Sequence, residues 1–153
     1  MEGKQKLLEG CRVLDLSNET GFLCGKILGD LGADVIKVER PGGDPSRNLG
    51  SFYKDQPDPE KNLYWFSYNH NKRGITLDIE TETGKDLFRK LVKNTDILIE
   101  TFPAGHLEKL GLDYNSLCKI NPQIIVTSIT PFGQTGPYKD YKGSDLILTA
   151  MSG

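Results

Sequence analysis

The chain has 153 residues, 37% of them apolar, and 17 glycines, a globular composition long enough to bury roughly 68–70% of its unfolded surface. Its 19 basic residues against 21 acidic ones leave no general positive field, which argues against nucleic acid as a partner and leaves anion binding to local clusters. No apolar run approaches the roughly 18 residues of a membrane span, and the N-terminus lacks a signal peptide's apolar core. Cys11, Cys24 and Cys118 form an odd, widely spaced set with no C-x-x-C, so neither a disulfide framework nor a zinc site is expected. These features fit buried thiols in a cytoplasmic protein.

In chain order, residues 1–10 read as a polar lead-in and residues 11–16 as a first, mostly apolar strand. A helix is predicted over 21–31, with Gly21, Gly25 and Gly29 on one face. Mid-helix glycines cost about 1 kcal/mol each relative to alanine, so close packing against a sheet or a ligand must offset them. Gly32 suits the left-handed stop of that helix. Val35, Ile36 and Val38 then form a buried second strand, and Arg40 emerges at its carboxyl end, where open α/β sheets place ligands.

Residues 41–62 read as a long loop, functional or mobile, and residues 63–68 (LYWFSY) as an aromatic core plug. Lys72 and Arg73 stand before a third strand over 74–79. They form either a phosphate site, facing one anion together with Arg40, or a solvated basic turn. Residues 83–86 resemble a capping box ahead of a helix whose stripe is Leu87, Phe88, Leu91 and Val92. A fourth strand covers 96–100, and Pro103 opens a short helix closed by Gly111. A helix over 114–120 is stopped by Asn121-Pro122, a fifth strand covers 124–129, and a further helix begins over 146–151. The alternation predicts a Rossmann-like α/β layered fold with a mainly parallel sheet flanked by helices, the N-terminal portion of a larger domain.

The chemistry-bearing motifs are few. The G-x-G-x-x-G dinucleotide fingerprint is missing after the first strand, where Ser17-Asn18-Glu19-Thr20-Gly21 stands, although Glu39 occupies the place of a ribose-binding acid. No Walker A loop occurs. His70 and His106 are the only histidines, too few for a zinc site, and no serine lies in G-x-S-x-G.

Seven stretches in order resemble the class III CoA-transferase family, which includes formyl-CoA transferases, carnitine-pathway CoA-transferases and α-methylacyl-CoA racemases. They are GCRVLDL at 10–16, LGADVIKVERPG at 31–42, NKRGI at 71–75, DILIETFPAG at 96–105, LGL at 110–112, NP at 121–122 and FGQTGP at 132–137. The resemblance implies that residues 1–153 are the coenzyme A-binding N-terminal portion of such an enzyme. It also implies acyl-CoA and carboxylic acid substrates, no metal, and a parent protein that forms an interlocked homodimer. An aspartate attacks the thioester in that family, and CoA is then passed to an acceptor acid through an aspartyl intermediate.

By matched motif, the resemblance makes Arg40 a contact for the nucleotide end of CoA, and Lys72 and Arg73 its phosphate and adenine-side neighbours. It places Thr101 and Phe102 along the CoA groove, Lys109 over the phosphates and Lys142 near the pantetheine arm. Thr101 stands where the family usually has Asn, and Glu19 lies in a slightly shortened first loop, which leaves its role as an active-site partner open. Ser144 replaces the racemases' proton-transferring histidine and lacks a suitable pKa, so a transferase is preferred over a racemase. The nucleophilic aspartate is expected beyond Gly153, because Asp145 matches a different family position. The chain is therefore expected to be a catalytically silent fragment. The reading from another class is a non-catalytic α/β binding module.

Overall fold

A computed structural model describes residues 6–152. The lead-in expected over 1–10 therefore lies partly outside the described residues, as does Gly153. Five strands, β1 (Arg12–Leu16), β2 (Asp34–Glu39), β3 (Arg73–Thr76), β4 (Ile97–Glu100) and β5 (Ile125–Ser128), form one sheet in the order β3-β2-β1-β4-β5. Every pairing is parallel. Parallel sheets are covered on both faces, which explains why β2 is buried from Val35 to Glu39 rather than on alternate residues.

The sheet divides the core by strand alternation. Leu14, Leu16, Ile36, Val38 and Leu98 meet Phe88 and Val92 of α3 (Glu82–Val92), Leu107 of α4 (His106–Lys109) and Leu117 of α5 (Tyr114–Cys118). Val13, Val35 and Ile99 form the smaller cluster on the opposite face with Ala33. Leu28 of α1 (Phe22–Asp30) packs against that cluster.

The helix ends follow local chemistry. Gly32 takes φ 108°, its amide donates to Gly29 O and the Ala33 amide to Leu28 O, both at 3.0 Å. These paired bonds are a Schellman stop, as the sequence predicts. The cap of α3 is Thr81, whose hydroxyl accepts from the Gly84 amide at 3.0 Å. The box expected over 83–86 is thus shifted, because Thr81 is the first hydroxyl residue with extended backbone ahead of the helix. Gly84 is required there: a methyl group would strike the Asp78 carbonyl oxygen.

In the second crossover the structure refines one expectation and corrects another. Residues 41–62 are an organised strap of three short 3₁₀ turns. Asp44 and Asp58 each cap one of these turns by accepting a backbone amide two residues on. Residues 63–68 are no core plug. They lie in α2 (Leu63–Asn69), where Trp65 is buried while Leu63, Tyr64 and Phe66 are exposed. A seven-residue surface helix turns only one of its aromatic rings inward, and Trp65 meets Phe22 edge-on with centroids 5.4 Å apart. The predicted last helix is present as α6 (Asp145–Ser152).

Candidate functional site at the carboxyl edge of the sheet

Strand order β3-β2-β1-β4-β5 reverses the direction of winding between β1 and β4, and such a switch point opens a crevice at the carboxyl ends. A cleft of about 540 Å³ lies there. Leu16 at the end of β1 and Asn18 just after it contribute to it, as do residues 37–41 around the end of β2 and residues 77–80 beyond β3. The remaining wall is Asp44 and Pro45 of the strap with Thr101, Phe102, Pro103 and His106. The floor is aromatic, since the His106 ring stacks on Phe102 at 4.7 Å between centroids.

Three predicted site residues line this cleft: Arg40, Thr101 and Phe102. Arg40 is exposed at the lip and takes part in no ion pair among the described residues. The Thr101 hydroxyl accepts the Asn18 amide at 2.8 Å, tying the loop after β1 to the end of β4. That contact also explains Gly21, where a Cβ would come within 2.8 Å of the Thr101 methyl. Lys109 and Lys142 are exposed and outside the cleft lining. So are Glu19 and Ser144; Ser144 precedes α6, where its carbonyl accepts the Leu148 amide at 2.9 Å.

Lys72 and Arg73 do not share an anion with Arg40. Arg73 opens β3 opposite Ile36, four residues before Arg40 on β2, a separation of about 13 Å along the strand. It sits at the amino edge of the sheet, where its guanidinium donates to Asp34 at 2.7 and 2.8 Å. The Arg12 guanidinium shares that carboxylate, donating to Oδ2 at 3.0 Å. The Lys72 side chain is 1% exposed, and its ammonium donates to Asp15 Oδ2 at 2.7 Å and to Phe22 O at 3.1 Å. It is not a solvated turn: its ammonium is committed to Asp15, which is itself fully buried and requires a cation.

The glycine face of α1 is accounted for by the same cluster. A Cβ at Gly25 would collide with the Asp15 carboxylate and lie 3.0 Å from Lys72 Nζ, and one at Gly29 would lie 2.8 Å from the Asn71 amide. Protein groups, not a ligand, thus fill the space at these two positions. Asp15 Oδ1 accepts the Ser17 amide at 2.9 Å and the Ser17 hydroxyl at 2.5 Å. Lys37, the residue opposite Asp15 on β2, reaches the Ser17 carbonyl and lies 3.7 Å from Asp15 Oδ1. Burial pushes the Lys37 pKa down against the pull of Asp15. Burial likewise raises the Cys11 and Cys24 thiols, with nearby Asp96 and Asp15 adding to it. Both cysteines are only partly buried.

Several cleft residues escaped sequence reasoning. Lys37 is hidden inside an apolar strand, and residues 77–80 lie just past β3, which ends at Thr76 rather than at the expected Ile79. Glu100 is a further case: it is 2% exposed beside the cleft, with its carboxylate accepting the Phe102 amide at 2.7 Å and the Gln134 side chain at 3.3 Å. Burial pushes its pKa up, opposed by bonds from Ser128 and the Phe102 amide.

The chain is an open parallel α/β sheet with a cleft at its switch point, the place where proteins of this architecture bind their ligands. The chain belongs to CoA-transferase family III, whose sequence profile matches residues 8–153. It is similar to the succinate–glutarate CoA-transferase of Agrobacterium fabrum, with 46% identity over 158 residues, covering 100% of this chain and 39% of that protein. It is also similar to subunit BbsE of the succinyl-CoA:(R)-benzylsuccinate CoA-transferase of Thauera aromatica, with 44% identity over 93% of this chain and 35% of the relative. Among solved structures, a CaiB/BaiF family protein from Brucella suis superposes with a TM-score of 0.86 at 44% identity, covering 96% of this chain and 39% of that one. Rv3272 of Mycobacterium tuberculosis gives 0.84 at 37% identity, covering 97% of this chain and 39% of that one. The chain thus spans between 35% and 39% of the length of these relatives.

Two outcomes follow. Lys72→Met leaves Asp15 with only its more distant cation and lowers stability by about 3 kcal/mol in urea unfolding, while Asp15→Asn with Lys72→Met regains part of that loss. A stable Lys72→Met chain with weakened anion binding would instead make Lys72 a ligand contact. For Glu100, the folded pKa lies above the unfolded value of about 4.3. The stability this group contributes is therefore present below that value and lost as pH rises through the folded pKa. Glu100→Gln should raise the melting temperature at pH 7 by roughly 2–4 °C, the equivalent of about 1 kcal/mol. That gain should vanish toward pH 4; a gain independent of pH would contradict the assignment.

Proposed function

We propose that this chain supplies the coenzyme A-binding part of a class III CoA-transferase, an enzyme that moves CoA between carboxylic acids through an aspartyl intermediate. The observation that carries the reading is the cleft at the β1/β4 switch point, with Arg40 free at its lip and Thr101 and Phe102 along its wall. A pyrophosphate-bearing ligand there meets a cation at the rim and an aromatic surface below it, while Asn18 and Thr101 hold the loop between β1 and α1 in place. The apolar wall of Leu16, Val38, Leu77 and Phe102 suits an adenine or the pantetheine arm.

The transfer itself belongs to the whole enzyme. Its nucleophilic aspartate is assigned beyond Gly153, so residues 1–153 bind without catalysing. Lys109 and Lys142 are assigned to the phosphates and the pantetheine arm, and the parent enzyme is assigned as an interlocked homodimer acting in the cytoplasm on acyl-CoA and carboxylate substrates. The names of the relatives, which transfer CoA from succinyl-CoA or formyl-CoA, support that class of reaction. Racemase chemistry is disfavoured by Ser144, which offers no group to accept a proton near neutral pH.

A titration with coenzyme A, followed by backbone amide shifts and with NAD as control, tests the binding assignment. Shifts clustered at Asn18, Arg40 and Phe102 with CoA alone are expected. A response to NAD and not to CoA, or shifts confined to Arg12, Asp34 and Arg73, would overturn it.

A further inference from the structure

Glu39 ends β2 and lines the cleft. At this position dinucleotide-binding folds place an acid that accepts the ribose hydroxyls. Here both carboxylate oxygens are already engaged. The Arg47 guanidinium grips them as a fork, Nε to Oε2 at 2.7 Å and Nη2 to Oε1 at 2.8 Å. The Asp44 amide adds a third bond to Oε2 at 3.0 Å. Burial works to raise the Glu39 pKa, and these bonds outweigh it and hold the group below the usual carboxylate range. The acid is therefore ionised, buried and neutralised by one specific cation.

Arg47 is itself held from two further directions. Its Nη1 donates to Glu60 at 3.0 Å, and its guanidinium carbon lies 4.0 Å from the centre of the Trp65 ring. Trp65 in turn packs on Phe22. A planar fork fixed on a carboxylate and stacked on an indole is preorganised in a way a lysine cannot reproduce. Arg47 is absent from the cleft lining, so its influence on a ligand passes through Glu39.

We propose that Arg47 determines which nucleotide the cleft accepts. By neutralising Glu39, it removes the acceptor for a ribose diol and permits a ribose that carries a phosphate, the feature separating coenzyme A from dephospho-CoA and NAD. The inference rests on the coenzyme A reading of the same cleft. With Arg47 removed, a bare buried carboxylate would face the ribose phosphate across a poorly screened gap.

The test compares affinities for coenzyme A and dephospho-CoA in the unsubstituted chain, in Arg47→Met and in Glu39→Gln/Arg47→Met. Arg47→Met should lose roughly tenfold more affinity for coenzyme A than for dephospho-CoA, a loss expected from one uncompensated charge at close range. The double variant should return the ratio of affinities toward that of the unsubstituted chain, even where both affinities fall through disturbance of the strap. A general structural defect would lower both ligands equally and would not be rescued by neutralising Glu39; that result overturns the inference. Should Arg47→Met fail to fold, Glu39→Gln alone, which leaves Arg47 as surplus positive charge, should raise the preference for coenzyme A. An unchanged preference there contradicts the proposal. No saturable coenzyme A binding by the unsubstituted chain would instead overturn the reading of the cleft, and this inference with it.

Discussion

A carboxylate with no access to water organises the β1–β2 half of the molecule. Asp15 is fully buried, and every favourable contact it makes fixes another element: Lys72 from the turn before β3, Lys37 from β2, and Ser17 at the start of the loop after β1. An ionised group in that position is tolerable only with close cations and donors around it. The helix above it must then have no side chain at Gly25, because the space is already occupied by the ion pair. Gly25 of α1, Lys72 before β3 and the lysine inside β2 are thus one arrangement seen from three parts of the sequence.

This arrangement faces the α1 side of the sheet, and it leaves the carboxyl edge free for binding. Ser17 is locked from below by Asp15, and Asn18 is locked from above by Thr101. The start of the loop after β1 is thus tethered from both sides at the switch point. On the other flank, Arg47 pulls the strap over the end of β2 and places Asp44 and Pro45 along the same cleft. The proposed binding surface is therefore assembled from strand ends and two tethered loops, so little ordering cost remains for a ligand to meet.

The layered parallel architecture was legible because β-branched runs, helix stops and turn residues all pointed the same way. The Gly32 stop and the exit of Arg40 at a carboxyl end were readable from local chemistry alone. The partners of charged residues were not. Nothing in the order Asn71-Lys72-Arg73 reveals that the first cation turns inward to Asp15 while the second remains at the amino edge with Asp34. That division depends on strand register, where a one-residue shift exchanges the two faces. Residues 63–68 misled for a related reason, since aromatic richness does not show how many rings of a short helix face inward. Glu39 was recognised as standing in a ribose-binding position, yet its partner lies eight residues on, in a strap whose 3₁₀ turns carry no periodic signal.

Central to this picture is a division of labour between the two ends of the sheet: nucleotide at the carboxyl edge, scaffold charges beneath it and at the amino edge. A crystal structure of the chain grown with coenzyme A tests that division directly. The expected result is adenosine and pyrophosphate density across the ends of β1, β2 and β4, against Arg40 and Phe102, with Lys72 still on Asp15. Density at the Arg12–Asp34–Arg73 edge, or a Lys72 ammonium withdrawn from Asp15 to meet a phosphate, would contradict it.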